Sequence, residues 1–98
     1  MIWDVAIIGA GPAGMMAAAR AAERGNRSLL IEKNREPGAK ILLSGGSRCN
    51  LAPAVDPRGV VEAFGPAGRF LHSALAAFGP RQAVEMFEAE GVPTKVEP

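Results

Sequence analysis

The most constraining feature of this chain is six residues long. Gly9-Ala10-Gly11-Pro12-Ala13-Gly14 reads G-x-G-x-x-G, a spacing that glycine-rich sequences produce by chance and that becomes informative through its neighbours. A short apolar run, Ile2 to Ile8, leads into it. Pro12 stands where a helix would begin, and a missing N–H costs nothing at that position. A second apolar run, Ser28-Leu29-Leu30-Ile31, ends on an acid, Glu32, eighteen residues after Gly14. Strand, glycine turn, helix, strand and terminal acid form the order of a dinucleotide-binding βαβ unit. Gly9 permits the tight turn, Gly11 clears a path for pyrophosphate to the backbone, and Gly14 lets the helix lie close to the strand. Glu32 can accept from both ribose hydroxyls of an adenosine and would repel a 2′-phosphate, which argues against NADP at this position.

The fold class follows: α/β, a Rossmann-like unit over residues 2–32 with parallel strands joined by a right-handed crossover. The first helix is predicted from Pro12 to about Arg24, with Gly14, Ala17, Ala18 and Ala21 on one stripe and Gly25 as its stop. Both strands read as buried on two faces, and Trp3 and the Met15-Met16 pair as core. Residues 33–57 show no regular structure beyond a short apolar piece at Ile41-Leu42-Leu43. A loop of that length in a compact domain is usually functional or disordered, and its polar centre, Ser44 to Asn50, favours function. Two helices are expected over about 66–90. Phe70, Leu71, Ala74, Leu75 and Phe78 mark the first, and Pro80, Val84, Phe87 and Gly91 the second. Thr94 to Glu97 reads as the start of a further strand. Two or three strands make an incomplete sheet, so the remainder of a longer chain is the expected partner.

Composition closes off other classes. Eleven basic and ten acidic residues leave a net charge of +1, too little to attract nucleic acid or an anionic membrane at long range. The apolar N-terminus lacks a basic leader and meets Gly9 too early for a signal peptide or a spanning helix. A single cysteine, Cys49, allows no internal disulfide, so a reducing, cytoplasmic setting is expected. No cluster with metal-ligand spacing is present.

The downstream residues carry a family resemblance. Glu32-Lys33-Asn34 followed by Gly38-Ala39-Lys40-Ile41-Leu42-Leu43-Ser44-Gly45-Gly46-Ser47-Arg48-Cys49-Asn50-Leu51 resembles the signature E-K-N…G-R-K-L-L-I-S-G-G-G-R-C-N-L-T-N of the bacterial YhiN/BaiN-type flavoproteins. These are also known as NAD(P)/FAD-dependent oxidoreductases or aminoacetone oxidase-family enzymes. Gly-Ala-Gly-Pro-Ala-Gly is the form typical of their FAD-binding relatives. Phe70 to Lys95, with Gly91-Val92-Pro93, also resembles the segment that follows in that family. Ala39 stands in place of the usual arginine, Ser47 in place of the third glycine, and Ala52-Pro53 in place of Thr-Asn.

The resemblance implies FAD as cofactor, NAD(P)H as electron donor, and a small unsaturated or carbonyl-conjugated organic substrate. It also implies a parent protein about four times this length, beyond one ordinary domain. The candidate cofactor-binding set is Gly9, Ala10, Gly11, Pro12, Ala13 and Gly14; Glu32 and Lys33; and Lys40, Ser44, Gly45, Gly46, Arg48, Cys49 and Asn50. In it, Gly45 and Gly46 would bring amides to a phosphate or the flavin edge, Lys40 and Arg48 would neutralise pyrophosphate, and Ser44 and Asn50 would bond ribityl or ring groups. A solvated surface loop is the plainer reading of the same residues. Cys49 reads as a small packed residue rather than a redox thiol, His72 as a helix-surface residue, and Arg58, Arg69 and Arg81 as solvated charges. No catalytic side chain can be named. Two other classes remain open: a non-catalytic dinucleotide-binding module and a short NAD-binding Rossmann protein. Neither needs the Ser44–Asn50 motif.

Overall fold

The structure, a computed structural model, describes residues 1–43 and 48–97 and divides into two compact units, Met1–Asn50 and Leu51–Pro98. The first is the βαβ unit. Strand β1 (Val5–Ile8) pairs in parallel with β2 (Ser28–Ile31), Val5 opposite Ser28 and Ile8 opposite Ile31. Hydrogen bonds extend the ladder at both ends, from Asp4 N–H to Arg27 O at 2.9 Å and from Gly9 N–H to Ile31 O at 2.7 Å. The Asp4 carboxylate also accepts from Arg27 N–H at 2.7 Å.

Helix α1 (Pro12–Glu23) joins the strands. It ends where glycine makes ending cheap. Gly25 sits at φ +84° and donates to Ala22 O, while Asn26 N–H reaches back to Ala21 O at 3.1 Å. These are the paired bonds of a Schellman stop. Gly14, Ala18 and Ala21 are half-buried along α1, whereas Ala17 is exposed.

The sheet departs from the two-sided burial expected of its apolar runs. Its burial alternates: Val5 and Ile7 are half-covered, Ala6 and Ile8 exposed. A Cβ placed on Gly14 would lie 3.5 Å from Ile7 Cγ2, which identifies the Val5–Ile7 face as the one under α1. Within the first unit no second helix lies on the opposite face, where Leu29 is half-buried and Ile8 is 86 % and Ile31 45 % exposed. Trp3 and Met15 are likewise exposed rather than core, and Met16 is half-buried. One helix can cover only one side of two strands. After β2 the chain forms a five-residue helix, α2 (Ala39–Leu43), where only a short apolar piece was expected.

The second unit is helical. Helix α3 (Pro57–Ala63) was not anticipated, since residues up to Pro57 read as loop. Asp56 caps it, its carboxylate accepting from Gly59 N–H at 2.8 Å, and Pro57 occupies its first position. The helix expected around Phe70 to Phe78 divides into a 3₁₀ segment (Gly65–Leu71) and α4 (His72–Ala77). Gly68 explains the tight winding. It is buried, and a Cβ there would fall on the Val61 carbonyl, so the 3₁₀ backbone lies directly against α3. Helix α5 (Pro80–Ala89) begins with Gly79 N–H donating to Gln82 Oε1 at 3.1 Å and closes in a second Schellman stop at Gly91, φ +84°. Thr94 to Glu97 form no strand.

Candidate functional site

The glycine-rich turn between β1 and α1 is held by more than its glycines. Gly9 takes φ +98°, a conformation L side chains rarely adopt. A Cβ on Gly14 would fall on the Gly9 carbonyl oxygen, so the helix and the turn are in backbone contact. Between them Ala10 is 2 % exposed. Its N–H donates to Glu32 Oε1 at 2.8 Å, and its carbonyl accepts from Gly38 N–H at 2.7 Å. Glu32 Oε2 accepts from Asn34 N–H, also at 2.8 Å. These two backbone bonds, Asn34 first and Ala10 second, hold the Glu32 carboxyl below the usual glutamate range.

The open side of the turn has the opposite character. A Cβ on Gly11 would meet nothing within 4 Å. Gly11 is the N-cap of α1, so no side chain caps the helix, and its first turn carries no acidic residue. The first amides of a helix have no partner within it, so this start presents donors at the positive end of its dipole. That arrangement fits a pyrophosphate: donors, net positive potential and room. Each Glu32 oxygen already holds one backbone N–H and keeps a second lone pair, enough to accept from ribose hydroxyls while bracing the turn.

The first unit thus brings together Gly9, Ala10, Gly11, Pro12, Ala13, Gly14 and Glu32. Lys33 follows Glu32 directly and is exposed; Lys40 lies on α2 and is exposed. Ser44, Gly45 and Gly46 lie outside the described residues, as does Ser47. Arg48, Cys49 and Asn50 are exposed. Cys49 is therefore not the packed residue expected: it sits at φ +55° in a stretch without helix or strand, and no element of the described residues covers its thiol. Sequence reasoning missed Asn34 and Gly38, which act through their backbones. Pro37-Gly38 is visible as a turn signal, but that the turn folds back onto Ala10 is a tertiary fact. The second unit carries an apolar groove of about 220 Å³ between Leu51–Pro53, Val60 and the Leu75–Ala83 stretch, lined by no titratable side chain. Among the described residues no group of three or more His, Cys, Asp or Glu side chains could hold a metal ion, and no helix is long and apolar enough to cross a membrane.

Comparison with known proteins agrees with this geometry. Residues 3–98 match the family described as the HI0933-like protein Rossmann domain. The ribosomal RNA dihydrouridine synthase of Escherichia coli K12 is 40 % identical over 90 residues, 92 % of this chain and 22 % of that protein. A digeranylgeranylglycerophospholipid reductase of Methanothrix thermoacetophila is 42 % identical over 55 residues, 55 % of this chain and 14 % of its own length. A thiamine thiazole synthase of Aeropyrum pernix is 50 % identical over 42 residues, 43 % of the chain and 16 % of that enzyme. The chain spans about a fifth or less of the length of these relatives.

Proposed function

The chain belongs to the HI0933-like Rossmann-domain family, and from that premise we propose that residues 1–98 are the FAD-binding N-terminal region of a longer flavin-dependent reductase. The carrying observation is the braced turn whose open side presents uncapped helix amides above Gly11. In this reading the Gly11 and Ala13 amides hold the pyrophosphate, Glu32 holds the adenosine ribose, and Lys33, Lys40 and Arg48 offset phosphate charge. Ser44, outside the described residues, and Asn50 would hydrogen-bond ribityl or ring groups. Bound FAD would supply a two-electron hydride acceptor and donor, and the protein's part is to hold and tune it.

The substrate class is a carbon–carbon double bond polarised by a carbonyl, with NAD(P)H as reductant. A small unsaturated organic molecule fits that description. So does a uridine in RNA, whose C5–C6 bond is conjugated to the C4 carbonyl. The 40 % identity to a protein named as a ribosomal RNA dihydrouridine synthase favours testing the second. The net charge of +1 on this stretch gives it no long-range attraction for RNA.

The test uses the full-length protein. It should purify with flavin absorbance, and anaerobic mixing with NADH or NADPH should bleach that absorbance. Reoxidation by an enone or by uridine-containing ribosomal RNA then separates the two substrates. Undiminished flavin in Gly11→Val would sink the turn assignment, because the valine side chain would occupy the phosphate position. Bound flavin that no nicotinamide reduces would leave a non-catalytic module. Bound NAD in place of flavin would leave a short NAD-type protein.

A further inference from the structure

The contact between Gly38 and Ala10 has no place in the G-x-G-x-x-G pattern, since Gly38 lies on the far side of β2. We infer that Gly38 and Glu32 act as a two-point clamp on Ala10, with Gly38 a positioning residue that aims the Gly11 N–H at the phosphate. The inference rests on the dinucleotide reading above.

Peptide geometry makes the step. A trans peptide points its C=O and N–H in opposite directions. The 9–10 peptide gives its N–H to Glu32 at 2.8 Å and lays its carbonyl against Gly14. The 10–11 peptide gives its carbonyl to Gly38 N–H at 2.7 Å. Its N–H, which belongs to Gly11, must then face away from Gly38. Both peptides of the turn are set by the protein before any ligand arrives, so binding need not order them.

Gly38 fits this task. It is buried, stands at φ +68°, and a Cβ on it would approach Met15 Sδ at 3.2 Å. Its carbonyl accepts from Ile41 N–H at 3.0 Å. The same residue thus caps the turn and starts α2, which leads to the Arg48–Asn50 end of the motif. Glu32 completes the frame by also taking Asn34 N–H, which closes the chain between β2 and Gly38.

The test is a competition experiment on full-length apoprotein, with ADP and adenosine displacing FAD. Wild type should prefer ADP, because only ADP reaches the turn. Gly38→Ala keeps the N–H but strains a positive φ, while Gly38→Asn keeps the N–H and tolerates that φ. The alanine variant should lose about tenfold in ADP affinity, the scale of one charge-assisted hydrogen bond, with adenosine affinity unchanged. Asparagine relieves the φ strain but meets the same Met15 contact, so it should recover part of the loss. An unchanged ADP-to-adenosine ratio in Gly38→Ala overturns the clamp, and so does an equal loss for both ligands, which marks a merely structural glycine. If alanine fails to fold, Gly38→Asn carries the test: a smaller fall in the ADP-to-adenosine ratio supports the clamp, and an unchanged ratio or an equal loss for both ligands overturns it. A wild-type protein that binds neither FAD nor ADP fails the functional reading instead, and the two failures are distinct.

Discussion

Glu32 is half-buried, and its two oxygens each receive one backbone N–H. That makes it a titratable brace. Its folded pKa lies below the ordinary glutamate value, through the Asn34 amide first and the Ala10 amide second. A depressed carboxyl pKa contributes stability that is whole above the unfolded-state pKa and is lost as pH falls through the folded one. Wild type and Glu32→Gln should therefore differ in melting temperature by a constant amount at neutral pH. The difference should close only as the medium is acidified through and below the usual glutamate range. A difference that stays constant into strong acid would contradict the brace. Gly14 has less freedom, because its neighbour is backbone and cannot rotate away. Gly14→Ala should cost about 1–3 kcal/mol, the usual scale of overpacking, with flavin lost from the full-length protein; thermal melts and absorbance check both. Sequence reasoning found the residue types here, the glycines and the terminal acid, because their spacing is local. It assigned Glu32 to a ligand and did not find that Glu32 first serves its own backbone, since that depends on where Asn34 and Gly38 return.

The elements repeat the same division. Helix α1 and strand β2 were legible almost to the residue, because proline at the start, small residues within and glycine at the stop all agree, whereas β1 ends at Ile8 as expected but begins at Val5 rather than Ile2. Helix α3 was missed although Asp56-Pro57 is a start signal. Seven residues containing Gly59 and a Val60-Val61 pair give too short and too stiff a pattern to stand out. One helix was expected from about residue 66 through Phe78, because Phe70, Leu71, Ala74, Leu75 and Phe78 repeat at helical spacing. Pro66 and the close approach of Gly68 to Val61 wind its first half as 3₁₀ instead. The cap on α3 carries a prediction of its own. Asp56→Ala removes the acceptor of Gly59 N–H and should cost about 1 kcal/mol of stability; Asp56→Asn, which keeps an acceptor, should cost less. Chemical denaturation of the full-length protein reads the difference, and equal losses would mean that the cap carries nothing.

At the scale of the whole molecule the decisive feature is the uncovered side of the sheet. In parallel register Ala6 and Leu29 share it with Ile8 and Ile31, and Ile8 is 86 % exposed. Covering one such side chain is worth about 1.5–3 kcal/mol, a large share of a small domain's stability. Doubly wound sheets cover both faces with helices, and this stretch matches only 22 % and 14 % of the length of two of its relatives. The far face of β1 and β2 is therefore where elements outside the βαβ unit would pack. One substitution tests this in both contexts. Residues 1–98 produced alone should self-associate through the apolar face and its open edges. Ile8→Lys should shift that piece toward monomer in sedimentation. In the full-length protein the same lysine would be buried without a partner, so it should destabilise by several kcal/mol and lower the yield of flavin-bound protein. If Ile8→Lys were tolerated at full length, this face would be a solvent-exposed surface of the native protein, and the sheet would have to be completed along its edges alone.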